Sequence, residues 1–580
     1  MNTLHAAPAR PPVSSRFWHA GLAALVLVIC LVRGALLFGT PLMPGMNGAY
    51  YLVQARSVLA HGTLGIPDLP LTFFLQAALA RVIGFFWGGG ADACIVLAVK
   101  LADAVLPALA ALPVYVLVSR WARDAAAPAW LAPAAAAVAT LNGSMLHMVG
   151  DFEKNSLGIV WLAALLLALQ VWMTRPSLGR AAVVLGFWGL AAVTHIGVFG
   201  ASVLFGGLAL GFYAVAQGRA GWRALAPLLG AVLAIVLLAA GVVLWKFDPQ
   251  RIHRLAQALV HPADYLSGSA LPGGGGFAGG PGGGSGGFPG PMRGGPGAGF
   301  RMMQFAPFLG FGLVALAALT VCWQRRRTLA PGEGAVAAAC AVGVLVLTGP
   351  WVHGDKTDRF YLLAMMPAVL AGAFALVHWQ RPRLRAAVAG LALLGVLASS
   401  CALLRRGGQP IVTEAGVREL RALAPLIEHP ETTLVSARHG MEWWAAWTLG
   451  THIAQSTALR TADWETYSAV FFLRSSGSDQ GRPPGGGGPG GLGGPSTLRR
   501  LERLTGGGGF PPGPPPGGWR GGPPPSFPGG PGGPGGGPMS DPQIPSDAQT
   551  VHEGAHFRLA RVLSAPAFVT EQTEQAAAKK

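Results

Sequence analysis

Charge is scarce in this sequence. Asp, Glu, Lys and Arg make up 12% of its 580 residues, against about 25% in ordinary soluble domains. Hydrophobic residues make up 52%, and apolar runs recur at the roughly 20-residue length that crosses a bilayer core. A soluble protein with several large cores is excluded, because water would face those runs. Cysteine is nearly as scarce. Cys30, Cys94, Cys322, Cys340 and Cys401 lie in or beside apolar runs, with no CxxC or Cys/His spacing. That leaves no zinc motif and no disulfide framework. Acids are fewer than bases, 25 against 42, for a net charge of +17. A nucleic-acid surface would gather the excess on one soluble face. Here it is spread over short loops between apolar runs, so no nucleic-acid partner is expected.

The composition therefore describes a mostly α, polytopic transmembrane helix bundle embedded in a lipid bilayer. Eleven spans are expected, at about 18–39, 93–118, 126–148, 156–173, 181–196, 198–216, 224–245, 305–323, 333–351, 361–379 and 386–404. The first follows Arg10 and Arg16, lacks a small-residue cleavage site directly after it, and reads as a retained signal anchor. Arg120 and Arg123, Arg175 and Arg180, Arg219 and Arg223, Arg325 to Arg327, and Arg381, Arg383 and Arg385 follow alternate spans. With residues 1–17 in the cytoplasm, all five loops fall on the positive-inside face. Residues 18–405 form the membrane domain and 406–580 lie outside, in the periplasm of a bacterial inner membrane. The run 71–87 is short, contains Arg81 and would break the alternation as a span. It is expected to be an interfacial or re-entrant helix.

Gly and Pro dominate 268–299 and 477–545. That composition cannot repay chain entropy by burial, so both tracts are expected to be disordered outer insertions. They lack the strict G-x-y period of collagen and the flanking strand and helix of a phosphate loop. Around the second tract, TTLVSA, YSAVFFLRS and HFRLARVL read as strands, while GVRELRALAPLIEH and MEWWAAWTLG read as helices. A small outer α/β domain results.

The polar residues that remain gather in outer segments. Gly150-Asp-Phe-Glu-Lys-Asn155 sets Asp151 and Glu153 two apart at the mouth of a span. Acids there favour a helix N-terminus, and they equally suit Mg²⁺ or Mn²⁺ held against a phosphate that Lys154 also meets. NGAYYLVQAR follows the first span, with Asn47 at a turn or offering a neutral oxygen. His195 sits in an outer hairpin and reads as packed or site-facing. Arg359 opens the run FYLLAMMPAVLAGAFAL and reads as an interfacial anchor or a phosphate contact. Lys100 and Asp103 lie inside the second span at i, i+3 and are expected to neutralise each other or to line a proton or substrate path.

Together NGAYYLVQAR, GDFEKNSLGIVWL and DRFYLLAMMPAVLAG resemble, in order and spacing, the outer-loop motifs of the GT-C membrane glycosyltransferases. The nearest likeness is to the oligosaccharyltransferase catalytic subunit, over about 18–405. The resemblance implies transfer of a sugar or glycan from a polyprenyl-phosphate-linked donor at the outer face. It implies Asp151, Glu153 and Asn47 at a divalent cation, with Asp151 and Asn47 in catalysis. Arg359, Lys154 and His195 would meet the donor phosphate. Glu442, Trp443 and Trp444 of EWWAAW would lie on the acceptor side. Two departures stand out. Asn47 replaces that family's first aspartate, and Ala445 replaces the aspartate of its Trp-Trp-Asp motif, so an Asn-x-Ser/Thr peptide is not the expected acceptor. A lipid, a glycan or another protein site takes its place. Two rivals keep the bundle without this chemistry. One is a non-catalytic binder of lipid-linked glycans or an accessory protein. The other is a transporter, for which no inverted repeat is evident.

Overall fold

The structure, a computed structural model, describes residues 15–247, 298–349, 351–352, 355–455, 459–476 and 541–570. The expected runs are helical wherever described, because a helix alone satisfies its own backbone within lipid. Seven helices are long and apolar enough to cross a membrane among the described residues. Leu71–Trp87, Leu178–Thr194 and Leu309–Gln324 are shorter apolar helices. The chain is a multi-pass membrane helix bundle with a small sheet domain at its C-terminal end.

Four expected spans are shaped differently from a plain rod. The run from Ala91 to Asp124 passes through a 3-10 turn at Pro107–Ala110, where proline interrupts the hydrogen-bond ladder. The run 126–148 divides into Leu131–Leu141 and Gly143–His147. Asn142 is extended there, and its side chain accepts the Met145 N–H at 3.0 Å. The runs 198–216 and 224–245 join as Ile196–Phe247, with non-helical backbone at Gly218. The segment 71–87 is one helix, Leu71–Trp87, that buries Phe73, Gln76, Ala77 and Ala80 and exposes Leu75, Val82, Phe85 and Phe86. One face meets protein and the other exposes apolar side chains.

The sheet domain holds five strands: β1 Thr433–Ala437, β2 His452–Gln455, β3 Ala469–Ser475, β4 Gln549–Glu553 and β5 Phe557–Arg561. Their order is β2-β1-β3-β5-β4, parallel within β2-β1-β3 and antiparallel beyond. The helix Met441–Leu449 links the parallel neighbours β1 and β2. Side chains alternate between two cores. Leu434, Val470 and Phe472 pack on one face with Leu459 and Val562. Val435, Phe471 and Leu473 pack on the other, in an apolar cluster that also contains Leu37, Met43, Ala49 and Leu52 of the bundle. The sheet thus shares a core with the segment after the first span. β2 and β4 were not expected from sequence, being short and mostly polar.

Most of both Gly/Pro tracts lies outside the described residues. Two ends do not. Residues 298–299 open the helix Ala298–Gln324, and Asp541 lies 3.4 Å from Ser475 Oγ and 3.7 Å from Arg438 Nε. The second insertion therefore ends before 541, earlier than the expected 545.

Candidate functional site at the bundle end beneath the sheet

Two loops far apart in sequence are locked together here. Asn47 donates both its backbone N–H and its Nδ2 to Asp151 Oδ1, each at 2.8 Å. Glycine makes this approach possible. Gly45 has φ +83° and Gly150 φ +77°, in the left-handed region that other residues avoid. A Cβ on Gly45 would lie 2.8 Å from Asp151 Cβ, and one on Gly150 would lie 2.6 Å from Pro44 Cγ. The first loop is also tied to the chain after the last span, through the Gly45 N–H to Gln409 O bond at 3.0 Å.

From the membrane side, Asp103 holds the second loop. Its Oδ2 accepts the Gly150 N–H at 2.8 Å, and its Oδ1 accepts from Arg33 at 2.6 Å. Arg33 adds bonds to the Asp103 and Met145 carbonyls. Both side chains are buried, where an ion pair survives only with its remaining hydrogen bonds satisfied. The expected Lys100–Asp103 neutralisation is therefore corrected. Asp103 belongs to Arg33, and Lys100 donates to the Thr40 and Pro41 carbonyls at 2.6 and 3.2 Å. Arg33, buried in the middle of an apolar run, was the available signal: a charge at that depth implies a partner.

The remaining acids and cations divide among different neighbours. Glu153 turns into the bundle, where Gln76 bonds its Oε2 and its Oε1 is buried without a partner. Lys154 is ion-paired to Asp68, which also accepts the Tyr50 hydroxyl, and its ammonium lies 5.3 Å from the Tyr50 ring centre and 5.5 Å from that of Phe73. Burial, then the Asp68 charge, pushes the Tyr50 phenol well above its ordinary range. Asp68, an acid of the first loop, is the partner sequence reasoning passed over. His195 ends the helix Leu178–Thr194, and its Nδ1 accepts the Val198 N–H at 3.3 Å. It caps the helix that follows.

The expected divalent cation does not suit this donor set. Asp151 Oδ1 already accepts two N–H groups, Glu153 faces Gln76, and Asn47 presents nitrogen to Asp151. Among the described residues, no three His, Cys, Asp or Glu side chains are grouped to hold a metal ion.

The sheet domain closes the site. Gly440, at φ +91°, lies against the first loop so closely that a Cβ would meet Met46 O at 3.2 Å. The helix after it seats Trp443 against Tyr50, with ring centres 4.9 Å apart. Arg56 stacks over Trp447 at 3.5 Å and pairs with Asp92 at 2.9 Å. Trp444 is buried in the shared core, so it contributes to docking and not to an acceptor surface. Glu442 is buried, and its Oε1 meets His439 Nδ1 at 2.8 Å and the Gln455 amide at 3.0 Å. Burial opposes the His439 imidazolium, yet Glu442 and Asp151 outweigh it and raise the pKa, while Arg359 pulls the other way. Arg359 itself is exposed. Leu362, less than one helical turn beyond it, lines a groove of about 440 Å³ with Ser144, His147, Leu403 and Arg406.

No family model matches the sequence, and no curated protein matches it. Among solved structures, the chain is similar to ArnT from Cupriavidus metallidurans bound to undecaprenyl phosphate. The identity is 13% and the TM-score 0.49, covering 95% of this chain and 100% of that one. For the apo state of ArnT from the same organism the values are 12%, 0.47, 96% and 100%.

Proposed function

We propose that the protein is a GT-C-type membrane glycosyltransferase that takes a sugar or glycan from a polyprenyl-phosphate-linked donor. The observation that carries this reading is the junction of Asn47 and Asp151 beneath the sheet domain, with the turn at His439 and Gly440 laid against it. Breaking a glycosyl–phosphate bond leaves a phosphate whose growing charge must be stabilised. Arg359 offers an exposed planar donor for it. The adjoining groove, apolar along Leu362 and Leu403, suits the first isoprene units. Asp151, held by two N–H donors, is placed to orient the reacting sugar. Ala445 and the packed Trp444 leave no Trp-Trp-Asp surface for an Asn-x-Ser/Thr peptide, so a lipid, glycan or different protein site is the acceptor class. In this reading the bundle end that carries the sheet is the extracytoplasmic face of a bacterial inner membrane, with the N-terminus in the cytoplasm.

The test is transfer of labelled sugar from polyprenyl-phosphate donors by the purified protein in nanodiscs, with and without chelator. Chelator-resistant transfer is expected. A second reading, a lipid-linked-glycan binder without turnover, draws on the same Asn47, since an amide cannot act as the carboxylate it replaces. Donor binding without transfer over a broad donor set would favour it.

A further inference from the structure

The geometry points to His439 as the general base for the acceptor, oriented by Glu442, in a site whose first loop holds an amide. This rests on the glycosyl-transfer reading above. Asn47 can hydrogen-bond an acceptor but cannot take its proton. The sheet domain supplies an imidazole that can take it. His439 precedes Gly440, whose lack of a Cβ lets this turn lie on Met46 O, one residue from Asn47. Its Nδ1 meets Glu442 Oε1 at 2.8 Å and the Gln455 Nε2 at 2.9 Å. Among the described residues none hydrogen-bonds to Nε2, so the second nitrogen is the one available to a ligand. The ring is half-buried.

Glu442 is well made for a supporting role. It is buried, it accepts from Gln455 as well as from His439, and its Oε2 has no partner. With the Nδ1 proton donated to Glu442 and the Gln455 amide donating to the same carboxylate, Nε2 is unprotonated, and the carboxylate stabilises the imidazolium once Nε2 takes a proton. The step balances as follows. The acceptor O–H or N–H gives its proton to His439 Nε2. The acceptor atom forms a bond to the anomeric carbon. The bond from that carbon to the donor's phosphate oxygen breaks, and its electron pair leaves on the lipid phosphate beside Arg359.

The charged groups facing His439 are Glu442 from the helix that follows its turn, Asp151 from the second loop and Arg359 from the helix Asp355–His378; Gln455 of β2 adds a neutral donor. Since the base acts as neutral imidazole, the rate should rise with pH through its pKa, and that rise should lie above the ordinary 6.5. Removing the Glu442 charge should move it to lower pH.

The experiment measures transfer rate against pH for wild type, His439→Ala, Glu442→Gln and Asp151→Asn in nanodiscs, with thermal unfolding to verify folding. His439→Ala should lower kcat by about 100-fold with little change in KM, and added imidazole should restore part of it. Glu442→Gln should shift the acid limb downward. If wild type and His439→Ala transfer at rates within about threefold at every pH, or if the limb stays fixed in Glu442→Gln, the base assignment is overturned while the glycosyltransferase reading stands. If wild type transfers no sugar, both fall.

Discussion

Asn47 directs two nitrogen donors at one oxygen of Asp151. Each such bond to a charged acceptor contributes about 1.5–3 kcal/mol when shielded, less here because both residues are partly open to solvent. Replacing it by Asp, the residue the resembling family carries, sets two carboxylates face to face. We expect Asn47→Asp to lower stability at neutral pH by about 1–2 kcal/mol. We further expect Mn²⁺ to raise the variant's melting temperature while leaving wild type unmoved, a contrast thermal-shift assays read directly. A comparable Mn²⁺ shift in wild type would restore the cation to the native site. This junction was half legible in the sequence. Asp151 and Asn47 were conspicuous as polar residues at outer span ends. What each would touch was not, because partners 104 residues apart are chosen by packing. Lys154 and His195 were equally conspicuous, and their contacts with Asp68 and the Val198 N–H were equally unreadable.

At the scale of elements, the site is two tight loops and one turn, each passing through a left-handed glycine. Gly150→Ala places a Cβ 2.6 Å from Pro44 Cγ on backbone at φ +77°, where an alanine costs about 1–2 kcal/mol before any clash. The variant is expected to fold with the second loop displaced. Sugar transfer should fall at least tenfold, and hydrogen exchange should accelerate at residues 148–152 while the helix Glu153–Thr174 stays protected. Unchanged exchange in the loop would contradict this account of the junction. Helices were the most legible elements, since a run of apolar residues in lipid has few alternatives to helix. Breaks inside them were less so. The extended Asn142 and the joined helix at Gly218 depend on local caps and neighbours that hydropathy does not register. Strands β1, β3 and β5 show alternating or apolar runs; β2 and β4 are short and polar, and pairing alone makes them strands.

For the whole molecule, the sheet domain and the bundle are one apolar body, joined through Tyr50 on Trp443, Arg56 on Trp447 and the shared core. The second Gly/Pro tract leaves after Ser475 and Ser476 and returns near Asp541, which contacts Ser475. Since its ends meet, replacing residues 479–538 with a short Gly/Ser linker should change stability by no more than about 1 kcal/mol and leave transfer unaltered, as melting and rate measurements would show. Placing the sheet outside the cytoplasm also has a simple readout. Glu553→Cys, at an exposed position on β4, should react with a membrane-impermeant thiol reagent applied to the outer face. The account turns most directly on Asp151. Transfer of labelled sugar from a polyprenyl-phosphate donor should be measured for wild type and Asp151→Asn, both shown to be folded, in the presence of chelator. We expect measurable transfer by wild type and a loss of about 100-fold or more in the variant. Equal rates in the two proteins, or no transfer by wild type from any polyprenyl-linked donor, would contradict it.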